Sequence, residues 1–207
     1  MIRPIRLLII VFAMNFTVGC ANIASDTISD YFLSNEKNKE VIRQYYNESE
    51  YSFAVFKFGR FGPDTILVLA FIKDGVYEWR SSDGISVFTN NGMIVKTLGL
   101  GKDVTSSLDI NTFYPGMDDV SSTTTFYNPL LFNALTKNNF TYSQDVYELD
   151  IFGKLLPSNM ITQEVAIPSI KWNKKNKYFT NIDGNVIKAE MYIHPKLPKL
   201  TIDYFYK

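Results

Sequence analysis

Few residues in this chain could do chemistry. His194 is the only histidine, it is followed by Pro195, and Cys20 is the only cysteine. A lone histidine at the end of a strand-like run has no local carboxylate to orient it, so a satisfied structural imidazole is expected rather than a general base or a metal ligand. One cysteine rules out a disulfide framework and a Cys/His metal cluster, and no Gly-x-Ser-x-Gly elbow is present. Carboxylates cluster locally at Asp118-Asp119 and at Asp145, Glu148 and Asp150. Glycosidase chemistry needs two such groups roughly 5–10 Å apart, but a polar loop and one polar strand face account for both clusters equally well. Gly99-Leu100-Gly101-Lys102 lacks the spacing and the Ser or Thr after Lys that a phosphate loop uses, and reads as a turn. The expectation is therefore a protein that is not an enzyme, with no catalytic residue, no metal and no cofactor.

Aromatic side chains offer a different chemistry. Sugar rings present apolar C–H faces that stack on Tyr and Trp, and Trp79, Trp172 and Tyr204 are the candidates for such glycan stacking. Sheet and core packing is the ordinary use of aromatics in β domains and is the favoured reading. Trp79 in particular is expected to be buried.

The elements that must position these residues follow from composition and periodicity. A chain of 207 residues with 46% hydrophobic content is long enough for one domain with a real core, and 16 Phe with 13 Tyr favour strands. Arg3 and Arg6 precede an unbroken apolar stretch from Leu7 to Ala13, and Gly19 stands before Cys20, which is the order of a secretory signal peptide over residues 1–19. Thr17-Val18-Gly19-Cys20 resembles a bacterial lipobox, with Thr17 where Leu is usual. Cys20 is accordingly the expected lipid attachment site, which explains a single cysteine in an exported chain. Several acyl chains hold a protein to a membrane stably, at about 0.8 kcal/mol per buried CH₂. Ala21 follows, and under enteric-type sorting the absence of Asp there implies the outer membrane. Losing Arg3 and Arg6 turns a balance of 21 basic and 21 acidic side chains into an acidic excess of two, so nucleic acid is not an expected partner. The basic run Lys171, Lys174, Lys175 and Lys177 around Trp172 reads as a solvated loop.

Residues 20–48 read as a tether with one or two short amphipathic helices, and residues 49–207 as a single β-rich domain. From Tyr51 the period becomes that of strands. Thr65–Ile72 is apolar enough to predict a central strand covered on both faces. Asp74-Gly75, Asp83-Gly84 and Asn91-Gly92 are tight-turn signals, so residues 51–98 predict an antiparallel meander. The stretch from Gly101 to Tyr142, rich in Ser, Thr and Asn, predicts long loops with a short helix at Leu130–Leu135. Strands return at Asp145–Phe152, Thr162–Ile167, Tyr178-Phe179 and Val186–Ile193, and Leu200–Tyr206 alternates cleanly. The fold class expected is mainly β, a curved antiparallel sheet or barrel-like meander with a short helical N-terminal segment.

Trp79-Arg80-Ser81-Ser82-Asp83-Gly84, the apolar strand before it, and Thr89-Asn90-Asn91-Gly92 with Thr97-Leu98-Gly99-Leu100 after it resemble, in content and order, the YjbF family of group 4 capsule polysaccharide lipoproteins. The shared features are a lipobox leader, a W-x-S-x-D turn, a T-x-x-G hairpin, and a late Asp-x-x-Gly-x-Val hairpin matched by Asp183-Gly184-Asn185-Val186. The long Ser/Thr/Asn-rich middle departs from the family pattern. The resemblance implies a part in producing or exporting capsule or exopolysaccharide, with an outer-membrane β-barrel and periplasmic polysaccharide-export proteins as partners and no enzymatic activity. It also implies that Trp79, Ser81, Asp83, Gly84, Thr89 and Gly92 are structural. The functional expectation is an outer-membrane-anchored periplasmic lipoprotein with a scaffold or interaction role. The alternative is a glycan- or lipid-binding carrier; a deep apolar cavity would favour lipid, an exposed aromatic strip a glycan, and paired carboxylates an enzyme.

Overall fold

Two-residue turns in which both central residues have positive φ suit the right-handed twist of flanking strands and fold them into hairpins. Asp74-Gly75 (51° and 76°) and Asn91-Gly92 (46° and 74°) are of this kind, as is Phe152-Gly153 further on (53° and 83°). The computed structural model describes residues 38–108 and 120–207. It divides into two units, Met1–Glu48 and Ser49–Lys207. In the first, residues 38–48 are helical and Gln44 donates to Glu48 across one turn at 2.9 Å. Cys20, the lipobox and the expected helices before residue 38 lie outside the described residues.

The second unit is a closed barrel of twelve strands: β1 (Phe53–Phe58), β2 (Asp64–Lys73), β3 (Val76–Arg80), β4 (Ser86–Asn90), β5 (Met93–Leu98), β6 (Val104–Ser106), β7 (Val120–Phe126), β8 (Leu131–Ile151), β9 (Lys154–Ile167), β10 (Trp172–Thr180), β11 (Val186–Met191) and β12 (Leu200–Phe205). Each strand pairs antiparallel with its neighbour in sequence, and β1 closes on β12 with Phe53 opposite Phe205 and Phe58 opposite Leu200. Closure removes the edge strands that an open sheet would leave. Alternation then sorts the side chains. Leu200, Ile202 and Tyr204 of β12 and Ala54 and Phe56 of β1 point into the buried interior.

Outward positions carry ion pairs between strands, Lys57 with Asp64 at 3.4 Å, Lys188 with Asp203 at 3.2 Å and Lys175 with Glu164 at 2.9 Å. A barrel spanning a bilayer would instead show an apolar outer band. The outward Phe53, Phe179 and Phe205 are nevertheless buried, because the β8–β9 hairpin runs past a register shift between Tyr142 and Val146 and continues beyond the barrel wall. From there Tyr147 meets Phe179 edge-on at 6.0 Å, and Phe152 at the tip stacks on Phe205 at 5.4 Å.

Three expectations are corrected. Leu130–Leu135 is not helical: Leu131 begins β8, whose inward Ala134 and Thr136 are buried while Leu135 is exposed, a two-residue period. The run from Lys171 to Lys177 is not a loop. After a 3₁₀ turn at Pro168–Ile170 it forms β10, with Lys175 and Lys177 exposed and Asn176 buried. The Thr65–Ile72 strand is not covered on both faces, since Phe71 is 62% and Ile72 59% exposed; Arg80 lies over the Phe71 ring at 5.5 Å.

Candidate functional site: a fastened barrel with an amide-lined cavity

The interior of twelve strands is too wide for every side chain to meet its opposite, so it must be filled by large residues or left partly empty. Both occur. One half is filled around Trp79, which is fully buried on β3, touching Tyr77 at 6.2 Å, Tyr204 at 5.4 Å and Tyr206 at 6.1 Å. Its indole N–H donates to Thr89 Oγ1 on β4 at 2.8 Å, which satisfies the one polar atom that burial would otherwise strand. Ser81 and Asp83 build the β3–β4 turn: the Ser81 hydroxyl donates to the Asp83 carboxylate and accepts from the Ile85 N–H at 3.1 Å. Gly84 completes that turn at a φ of 89°. Gly92 reaches across the barrel. Its carbonyl accepts from the Tyr204 hydroxyl at 3.0 Å, and a Cβ added to it would stand 2.5 Å from Cβ of Val186, on a strand diametrically opposite in the ring. Trp79 and Gly92 thus fasten this wall to β11 and β12, while Thr89 holds the Trp79 indole and Ser81, Asp83 and Gly84 shape the β3–β4 turn.

The other half of the interior keeps a partly open cavity of about 60 Å³ between β5 and β11. That is room for roughly four to six waters at about 10–15 Å³ each. Along one wall runs a ladder of uncharged side chains. Asn138 Nδ2 on β8 donates to Ser122 Oγ on β7 and to the Val120 carbonyl, both at 3.1 Å. Gln163 on β9 donates to Asn138 Oδ1 at 2.8 Å and accepts from Asn176 Nδ2 of β10 at 2.9 Å and from the Tyr178 hydroxyl at 2.7 Å. Asn176 Oδ1 in turn accepts the Tyr192 N–H at 2.8 Å. Burial pushes the Tyr178 hydroxyl well above the usual tyrosine range, so it stays a donor. Met93, Val104, Phe126 and Met191 add apolar lining, and Trp172, partly exposed, meets Phe126 edge-on at 6.0 Å.

The three glycan-stacking candidates therefore separate. Trp79 and Tyr204 are sealed in the core and present no face to a ligand, because a fastening residue must be desolvated; Trp172 alone lines the cavity. Burial and the nearby Tyr206 raise the Tyr204 hydroxyl far above its usual range. The ladder is hard to see in the sequence because Ser, Thr, Asn and Gln in a long polar stretch resemble loop; a two-residue spacing, as in Ser122 and Thr124 or Thr136 and Asn138, is its one signal.

His194 lies buried just after β11 with only one nitrogen in a hydrogen bond, so the expected satisfied imidazole is satisfied only in part. Nδ1 accepts the Lys196 N–H at 3.0 Å, whereas Nε2 has no partner in bonding geometry. Phe126 packs against the ring at 5.1 Å. Burial lowers its pKa against an opposing pull from the Tyr127 backbone, and Lys102 and Lys196 lower it further. Among the described residues no carboxylate orients it. Asp145, Glu148 and Asp150 are exposed on the β8 extension, where Asp150 caps the hairpin tip through the Gly153 N–H at 2.6 Å; Asp118-Asp119 lies outside the described residues. Among the described residues no three His, Cys, Asp or Glu side chains gather as a metal site. The Gly99–Lys102 turn is occupied by its own acid: Asp103 accepts from the Gly99 and Leu100 N–H groups at 3.2 and 3.1 Å and from Thr97 Oγ1 at 2.9 Å.

Comparison with known proteins decides the family. The model of the group 4 capsule polysaccharide lipoprotein family (gfcB, YjbF) matches residues 25–205. The chain belongs to this family. Among its relatives is the uncharacterized lipoprotein YjbF of Escherichia coli K12, 24% identical over 146 residues; the alignment covers 64% of this chain and 65% of YjbF, so the match spans just under two thirds of that relative. The crystal structure of the hypothetical lipoprotein YmcC from Escherichia coli K12 superposes with a TM-score of 0.70 at 17% identity, covering 86% of this chain and 95% of that one, and shares the fold. The resemblance read from Trp79–Gly84 and Thr89–Gly92 is thus shown, as is the mainly β barrel. The family is described as one of group 4 capsule polysaccharide lipoproteins, and of the motif residues in this chain Trp79, Thr89 and Gly92 make contacts between strands while Ser81, Asp83 and Gly84 shape a turn.

Proposed function

We propose that this protein acts as a non-catalytic accessory component in the production or export of a capsule or exopolysaccharide, held at the periplasmic face of the outer membrane by acyl chains on Cys20. The family match over residues 25–205 carries this reading. The lipobox-like Thr17-Val18-Gly19-Cys20 and Ala21 support the anchor and its sorting. The ion-paired outer wall supports a barrel suspended in water beside the membrane rather than inserted in it. An outer-membrane β-barrel and periplasmic export proteins are the partners the reading calls for. The reading of no enzymatic activity rests on chemistry: among the described residues His194 has no orienting acid, and the acidic groups of β8 are solvated and unpaired with one another. Radiolabelled palmitate followed by separation of inner and outer membranes tests the address. Label in the outer-membrane fraction supports it, and an unlabelled protein or one confined to the inner membrane refutes it.

A further inference from the structure

The cavity left by the fastened half of the barrel has a lining with unspent donors. Among the described residues Gln163 uses one of its two amide hydrogens on Asn138, Asn176 uses one of its two on Gln163, and Ser106 Oγ accepts the Leu108 N–H at 3.2 Å and spends its own hydrogen on none of them. An acyl chain placed there would strand these groups at about 1–3 kcal/mol each, so the wall selects against lipid. Among the described residues no charged side chain lines the space, which selects against an ionised group. What matches is a ligand whose oxygens both donate and accept and whose carbon skeleton has an apolar face. Such a face suits Trp172 and Tyr192, both of which line the cavity and are partly exposed.

We propose that the barrel interior between β5 and β11 is a binding site for a single neutral sugar residue, whose hydroxyl-bearing edge enters against Ser106, Gln163 and Asn176 and whose C–H face meets Trp172. The volume fits this limit, since about 60 Å³ takes the edge of one hexose and not a run of them. The assignment rests on the polysaccharide reading above and narrows it to recognition of one unit, such as a chain end or a side branch.

The test uses the acylated full-length protein in a sugar-free detergent, titrated with glucose, galactose, N-acetylglucosamine and, as the acyl control, decanoate. Saturation-transfer NMR on the wild type requires no variant. Tryptophan fluorescence follows the same titrations, because Trp79 is sealed and Trp172 is the reporter that can respond. Saturable millimolar binding of at least one sugar is expected. Trp172→Leu, which removes the stacking face, and Ser106→Met, which fills the space, should each weaken it about tenfold or more. Both positions are partly exposed, and thermal melting verifies that each variant folds. No saturable binding of any sugar, binding of decanoate alone, or sugar binding unchanged in both folded variants overturns the proposal. Gene deletion separates the two readings. A deletion that lowers polymer in the absence of sugar binding removes this site and leaves the accessory role standing, whereas sugar binding with undiminished polymer does the reverse.

Discussion

Gly92→Ala should be among the most damaging single-methyl additions in the barrel. Gly92 has a φ of +74°, where an L-residue costs about 1–2 kcal/mol. Its added Cβ would also stand 2.5 Å from Cβ and 2.6 Å from Cγ1 of Val186. Val186 is β-branched, stiff at χ1 and buried at the start of β11, so it cannot swing aside, and overpacking of this kind costs about 1–3 kcal/mol. The total is about 2–5 kcal/mol, or a Tm lower by roughly 4–20 °C for a chain of this size. Gly75 supplies the control, because its φ is +76° and nothing lies within 4 Å of its would-be Cβ. Gly75→Ala should therefore show only the backbone part, about 1–2 kcal/mol. Urea unfolding of both variants, with Val186→Gly and Gly92→Ala/Val186→Gly to complete a cycle, isolates the contact across the barrel, because only glycine removes the Val186 Cβ as well as its methyls. If Gly92→Ala proves no more destabilising than Gly75→Ala, or if Val186→Gly leaves its cost unchanged, the fastening between opposite walls is wrong.

Thr89→Val should cost about 1–3 kcal/mol by leaving the Trp79 indole N–H buried without an acceptor, and Trp79→Ala about 3–5 kcal/mol, both measurable by chemical denaturation. Acrylamide should quench Trp172 and spare Trp79 in the native protein; full quenching of both would contradict the packing described. Tyr178, Tyr204 and Tyr206 are all raised by burial, so the folded state holds protons that the unfolded chain gives up above about pH 10. Stability should be level up to that pH and fall beyond it as pH rises toward the folded values, and Tyr178→Phe should make the fall shallower. His194 has the opposite sign. Its pKa is lowered, so its contribution is present above about pH 6.5 and is lost as pH falls through the folded value, a dependence that His194→Gln should remove. In a strain whose polymer depends on this gene, His194→Gln, Asp118→Asn and Glu148→Gln should each leave polymer yield near normal, and near-complete loss from one folded variant would reveal an active site.

The legibility of this fold varied with what the inward positions are made of. Residues 51–98 could be read because Asp-Gly and Asn-Gly turns punctuate strands whose inward residues, such as Leu67, Trp79 and Val87, are apolar. In β7 and β8 the inward positions are Ser122, Thr124, Thr136 and Asn138, so inside and outside are both polar and the usual contrast vanishes. Tertiary hydrogen bonding satisfies these groups, and no local pattern announces it. The Leu130–Leu135 error has a related cause: a short apolar run has no decisive period, and half of it is exposed on the barrel wall. The Trp79 motif was legible as structure, but its link to Tyr204 crosses more than half the chain and, like that to Val186, appears only once the ring closes.

The central claim, an acyl-anchored accessory role, is tested most directly by polymer yield from a deletion strain complemented with Cys20→Ser. The account predicts a folded, unlabelled protein in the soluble periplasm and polymer near the deletion level, because no helix among the described residues is long and apolar enough to cross a membrane in its place. Full polymer yield from a soluble Cys20→Ser protein would contradict it.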